Sequence, residues 1–180
     1  EEEQDIYLRK AIEAGYTKFR GNEAYNGNTE LSLDKVVDVI RYFASSTRIN
    51  NLYKVKLMKM MWYADFLSYK ERGHAITGLV YQALPMGAVP IGHNSIIDLR
   101  DVPCEEVDFG ETIAYHFFPS KTNDYKSLND EDKRILDIVI DKLGLMTKYE
   151  IVSFMHQEQA YKETAPRAII SFKYANTLKL

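Results

Sequence analysis

One cysteine, Cys104, stands among the 180 residues. An internal disulfide and a cysteine-paired metal site are therefore excluded, and the fold must hold without covalent staples, as suits the cytoplasm. No apolar run approaches the roughly 18 residues that a membrane-spanning helix needs. Nine glycines never fall as GxGxxG or as a P-loop, so a phosphate cradle has no motif behind it. No serine sits in a GxSxG elbow, and His156 lacks the second histidine of a metalloprotease helix. His74, His93, His116 and His156 stand at least 19 residues apart, so no two share the short spacing that places paired imidazoles on one metal. An excess of positive charge is also lacking. The net charge of −3 argues against a sequence-independent polyphosphate binder. Glu105 and Glu106 beside Cys104 would raise its thiol pKa and make it a poor nucleophile. No catalytic residue, metal site or cofactor is expected.

What is present is an ordinary globular composition, 46% hydrophobic and 27% charged, long enough to bury a sizeable core. The chain opens on Glu1, Glu2 and Glu3 with no basic and apolar leader, and we read it as a fragment of a longer protein. Residues 5–20 predict a helix ending near Gly15. Residues 21–30 carry two glycines and three asparagines and read as a linker, which makes 1–30 an N-terminal arm or linker and 31–180 the body.

From Ser32 the pattern turns helical: Leu33, Val36, Val37, Ile40, Phe43 and Ala44 share one face, with Ser32 as N-cap and Asp34 in the first turn. The next helix, about Leu52 to Arg72, is apolar on more than one side and so belongs at the centre of the fold, with Leu57, Met61, Trp62 and Ala64 in its core. Gly73 suits its left-handed stop. Residues 78–84 read as a strand ended by Pro85 and handed to a glycine and proline loop. Ile91–Leu99 reads as a short helix. Val107–Pro119 reads as a hairpin turning at Gly110 and Glu111. Asn129 with Asp130–Asp132 opens a helix whose buried face holds Ile135, Ile138, Val139 and Leu143. Thr147 and Glu150 form a capping box for a helix reaching His156. Pro166 interrupts the pattern, and Ser171 caps a last short helix. The expected class is α+β, mostly helical: a bundle of about five to six helices with one small antiparallel sheet.

Several blocks, in order, resemble the Panacea domain of SocA-like antitoxins. They are the helix Lys56–Asp65, the step Gly73–Gly78, the strand and loop Ala83–Pro90, the acid-capped helix start Leu128–Lys133, and Ser153–Tyr161. Two departures stand out: the family's glycine-proline-valine is Gly87, Ala88 and Val89 here, and its usual tryptophan after the histidine is Tyr161. The tail from Ala160 to Ala175 resembles members in which the domain follows a zinc ribbon and helix-turn-helix. The resemblance implies a non-enzymatic, cytoplasmic antitoxin that binds and neutralises a cognate toxin of a type II toxin–antitoxin system. DNA contact would come only through an upstream domain, with no membrane partner and with homo-oligomerisation open. It leaves two other readings: an adaptor delivering a toxin to a protease, and a metal-dependent enzyme using the histidines. Thirteen tyrosines suit an interface. The candidate toxin-binding residues are Pro85, Met86, Gly87, Pro90, His93, His156 and Tyr161, expected to form a shallow aromatic-edged groove.

Overall fold

The computed structural model describes residues 2–180. Mostly helical α+β architecture is what it shows, with two small two-stranded antiparallel sheets. Helix α1 spans Glu2–Tyr16 and is followed by a 3-10 turn at Thr17–Phe19 and a single-turn α2 at Glu23–Asn26. Helix α3, Leu33–Ala44, begins where the Ser32 hydroxyl accepts a hydrogen bond from the Lys35 amide, satisfying one of the helix's orphan donors. It buries Leu33, Val36, Val37, Ile40, Phe43 and Ala44.

Helix α4, Lys54–Arg72, is the axis of the molecule. Every residue from Lys56 to Ser68 is buried, which is the packing that a helix apolar on several sides requires. Leu57, Met61, Trp62 and Ala64 lie in the core. The Trp62 ring stacks on Phe66, and Phe66 stacks in turn on Phe172. Gly73 ends the helix in the left-handed conformation.

The chain then folds back along α4 and is clamped there by a buried carboxylate. Asp65 accepts hydrogen bonds from the Ile76 and Thr77 amides (both 2.9 Å), the Thr77 hydroxyl (2.6 Å) and the Tyr81 hydroxyl (2.7 Å). The same segment is covered from outside. Ala75 donates to the Gly27 carbonyl and Ser32 to the Thr77 carbonyl, so residues 27–32 run across it. Gly78, at φ +80°, has no room for a Cβ, which would stand 2.5 Å from the Glu30 carbonyl carbon.

Strands β1 (Tyr81–Leu84) and β2 (Gly87–Pro90) form the first hairpin, with Tyr81 opposite Pro90 and Leu84 opposite Gly87. The loop expected over residues 87–90 is thus a paired strand, because the two-residue turn at Pro85 and Met86 returns the chain at once. Helix α5, His93–Ile96, follows. Strands β3 (Cys104–Asp108) and β4 (Ile113–Phe117) form the second hairpin. It is tied to the body where the Phe117 amide donates to the Leu52 carbonyl.

Helix α6, Asp130–Leu143, and helix α7, Lys148–His156, each open with a reciprocal capping box, Asn129 with Asp132 and Thr147 with Glu150. Each box satisfies two otherwise unpaired amides. Helix α8, Gln159–Glu163, and a 3-10 segment, Phe172–Thr177, close the chain. α6 and α7 both pack on α4, placing the end of α7 beside the first hairpin.

Candidate functional site

Five of the seven predicted site residues meet at the turn of the first hairpin. Pro85 and Met86 form its exposed tip. The His156 ring lies over Tyr161, with centroids 4.7 Å apart and planes 16° from parallel. His156 Nε2 is 3.0 Å from the Pro85 carbonyl. A carbonyl only accepts, so this nitrogen carries the proton. The Tyr161 hydroxyl donates to the Leu84 carbonyl at 2.5 Å, and partial burial raises the phenol's pKa. The stacked pair therefore pins the hairpin turn onto α7 and α8.

Gly87 sits beneath, at φ +125°, where a Cβ would stand 2.7 Å from both Lys59 Cε and Met155 Sδ. Only glycine fits this approach. The neighbouring Ala88 amide points at Met155 Sδ, 3.1 Å away. Lys59 is 1% exposed. Among the described residues its ammonium has one hydrogen bond, a long 3.4 Å contact to the Val55 carbonyl. Burial, and then the charge of Lys148, push its pKa down to about 8.

Pro90 and His93 lie elsewhere. Pro90 pairs with Tyr81 at the open end of the hairpin, roughly 10 Å from the turn at strand rise, and is buried. His93 opens α5, near Lys54; burial first, and that lysine second, lower its pKa. The other histidines have separate surroundings: His116 faces Glu105 at 3.0 Å, and His74 faces the Ala75 carbonyl. Among the described residues no three His, Cys, Asp or Glu side chains are grouped to hold a metal ion. No helix there is long and apolar enough to cross a membrane. The Cys104 thiol is pushed up to about 11, chiefly by burial.

Two features at the site were not anticipated. Glu158 is fully buried, accepts from the Tyr63 hydroxyl at 2.8 Å, and so ties the start of α8 to α4; burial raises its pKa. Lys59 is the other. Its position inside an apolar helical stretch gave a signal, since a lysine flanked by Met58 and Met60 on a helix apolar all round has no solvent face to occupy.

The fold is thus a helical scaffold that presents a pinned hairpin at its surface. The family model described as antitoxin SocA-like, Panacea domain, matches residues 57–162, more than half of the 180-residue chain, and the chain belongs to that family. Comparison with curated proteins and with solved structures found no match for it.

Proposed function

We propose that this chain neutralises a cognate toxin protein of a type II system by direct binding, without catalysis, in the cytoplasm. Residues 31–180 act as the antitoxin unit, and residues 1–30 as an arm laid on it. The observation that supports this reading is the family match itself, which runs from the first turn of the central helix through the stacked His156 and Tyr161 pair. Met86, 39% exposed at the hairpin tip, Pro85 and the edge of the His156 and Tyr161 stack supply an aromatic and apolar contact patch of the kind interfaces favour. Gly87 gives that patch its shape from below. Pro90 holds the far end of the hairpin, and His93 belongs to a neighbouring surface.

Co-expression with the protein encoded by the adjacent gene tests the proposal, read first as growth rescue and then as co-elution from a sizing column. Rescue with a stoichiometric complex is expected. Rescue in which the toxin disappears and no complex forms would make the chain a proteolytic adaptor instead. Met86→Ser and Tyr161→Ala should each weaken the complex by about tenfold if the patch is a contact centre.

A further inference from the structure

A second surface concentrates exposed apolar side chains, and its lining has an unusual charge. Between the tip of the β3–β4 hairpin, the start of α4 and the loop before α7 lies a cavity of about 630 Å³. Phe109, Ile113 and Leu145 line it and are 61%, 59% and 69% exposed. Large apolar side chains gathered around one concavity mark an interaction site more often than scattered ones do. Lys54, Lys56 and Lys148 also line it, and no aspartate or glutamate does. That is a local reversal in a chain of net charge −3.

These lysines have no ion-pair partner among the described residues. Lys56 donates to the carbonyls of Asn50 and Gly144, and Lys54 to the Asn94 side chain. Lys148 is exposed.

One wall of the cavity is a strand edge. The sheet has only β3 and β4, and the outer side of β4 meets the body at Phe117 and through the bridge of Tyr53 with His116. From Tyr115 to Ile113 no further strand among the described residues covers it. β3 carries Glu105, Glu106 and Asp108, charges that discourage edge pairing, whereas β4 presents Ile113, Ala114 and Tyr115. Glu106 and Asp108 pair across from Tyr115 and Ile113 but stand one strand farther out, about 4.8 Å, and do not line the cavity.

We propose that this cavity is the docking groove for an extended, acidic and apolar segment of the toxin, laid as an added strand along β4. The assignment rests on the neutralisation reading for the owner of the segment, while the chemistry of the segment follows from the groove. Backbone pairing along residues 113–115 supplies register. Apolar side chains of the segment fill the space beside Ile113 and Leu145, and its carboxylates meet Lys54 and Lys148. The hairpin patch at His156 lies at the other end of α7, roughly 12 Å from Lys148 by helix rise, so one partner reaches both.

Two arms test this, with folding of every variant checked by its thermal melt. In the first, a short fluorescein-labelled peptide alternating Glu with Leu is titrated against the whole chain by fluorescence anisotropy, beside its Lys and Leu counterpart. The acidic peptide should bind, the basic one should not, added salt should weaken binding, and the double variant Leu145→Ser with Lys148→Glu should lose at least about tenfold in affinity. Equal binding of both peptides, or unchanged binding by the variant, overturns the proposal. In the second arm, the same variant is co-expressed with the adjacent-gene protein and should lose rescue and co-elution, whereas Tyr7→Ser, an exposed residue on α1, should keep both. A variant that still rescues removes the groove and leaves the neutralisation reading standing. A wild-type chain that neither rescues nor co-elutes removes the neutralisation reading and with it the toxin as owner, and the peptide arm then decides the chemistry of the groove. A concentration-dependent dimer dissolved by Leu145→Ser makes a second copy of the chain the occupant and overturns the proposal.

Discussion

Single residues in this molecule carry unusual energetic weight, Lys59 first among them. A folded-state pKa near 8, against the ordinary 10.5, means that between those values the unfolded chain binds a proton that the folded chain has released. Stability contributed through this group therefore rises as pH increases from about 8 to 10.5 and is at its lowest below that window. Lys59→Met should accordingly stabilise the fold at pH 7 by as much as about 3 kcal/mol, with the gain shrinking towards pH 10.5. Urea midpoints of the two proteins across that range check it, and a gain independent of pH would mean that packing, not charge, sets the difference. Burial disfavours the charge of Asp65 as well, but this side chain is the hub of a hydrogen-bonded clamp. It is a buried acceptor for four donors, and burial raises its pKa while those hydrogen bonds pull it down. Asp65→Ala strands two amides and two hydroxyls, and should cost about 4 kcal/mol, read as a fall in urea midpoint with an unchanged slope.

At the scale of elements, the first hairpin explains why the chain can depart from its family's glycine-proline-valine. Position 88 faces 83 across the hairpin, yet the Ala88 amide points to Met155 Sδ, and the Ala83 amide donates to Ala168 on the other side. The two therefore form a pair without ladder hydrogen bonds, and a proline at 88 removes nothing from the sheet. Ala88→Pro should change the melting free energy by no more than about 1 kcal/mol, whereas Val89→Pro, one residue on, deletes a ladder bond and should cost about 3 kcal/mol. Calorimetric melts of the pair separate these outcomes. The helices were legible from local chemistry: the α3 stripe, the Ser32 cap, the acids after Asn129, the Thr147 and Glu150 capping box and the glycine stop at 73 all depend on residues within one or two turns. The partner strand β2 and the burial of Lys59 were not, since both are decided by contacts between segments far apart in the chain. Of the expected patch, the meeting of residues 85–87 with His156 and Tyr161 followed the order of the motif blocks, while Pro90 and His93 were drawn in by sequence nearness to the turn. The lysine-lined groove left only a faint trace, in Phe109 and Leu145 standing in connecting segments where polar residues are usual.

For the whole molecule, the question is how far residues 1–30 belong to the body they were read as merely leading into. Ile12, Tyr16 and Phe19 are buried in the main core. The Tyr16 hydroxyl donates to the Ile91 carbonyl at 2.7 Å, and Asp5 accepts from the Arg100 amide at 2.9 Å. These contacts hold α1 against α5 and the loop after it, and residues 27–31 cover the turn that Asp65 clamps. Burying three such side chains stabilises a fold by about 5 kcal/mol, at roughly 1.5–3 kcal/mol each, set against a typical total of about 5–15 kcal/mol for a domain. Deleting residues 1–20 should therefore lower stability by about 5 kcal/mol and leave a chain that is marginally folded alone. A bound partner stabilises the folded form by mass action, so the truncated chain should regain its melting temperature when co-purified with the adjacent-gene protein. Thermal melts of the full and shortened chains, each with and without that protein, read the result. A shortened chain as stable as the full one would make the arm a passive leader, and one that stays unfolded even with the protein would make it part of the binding unit itself.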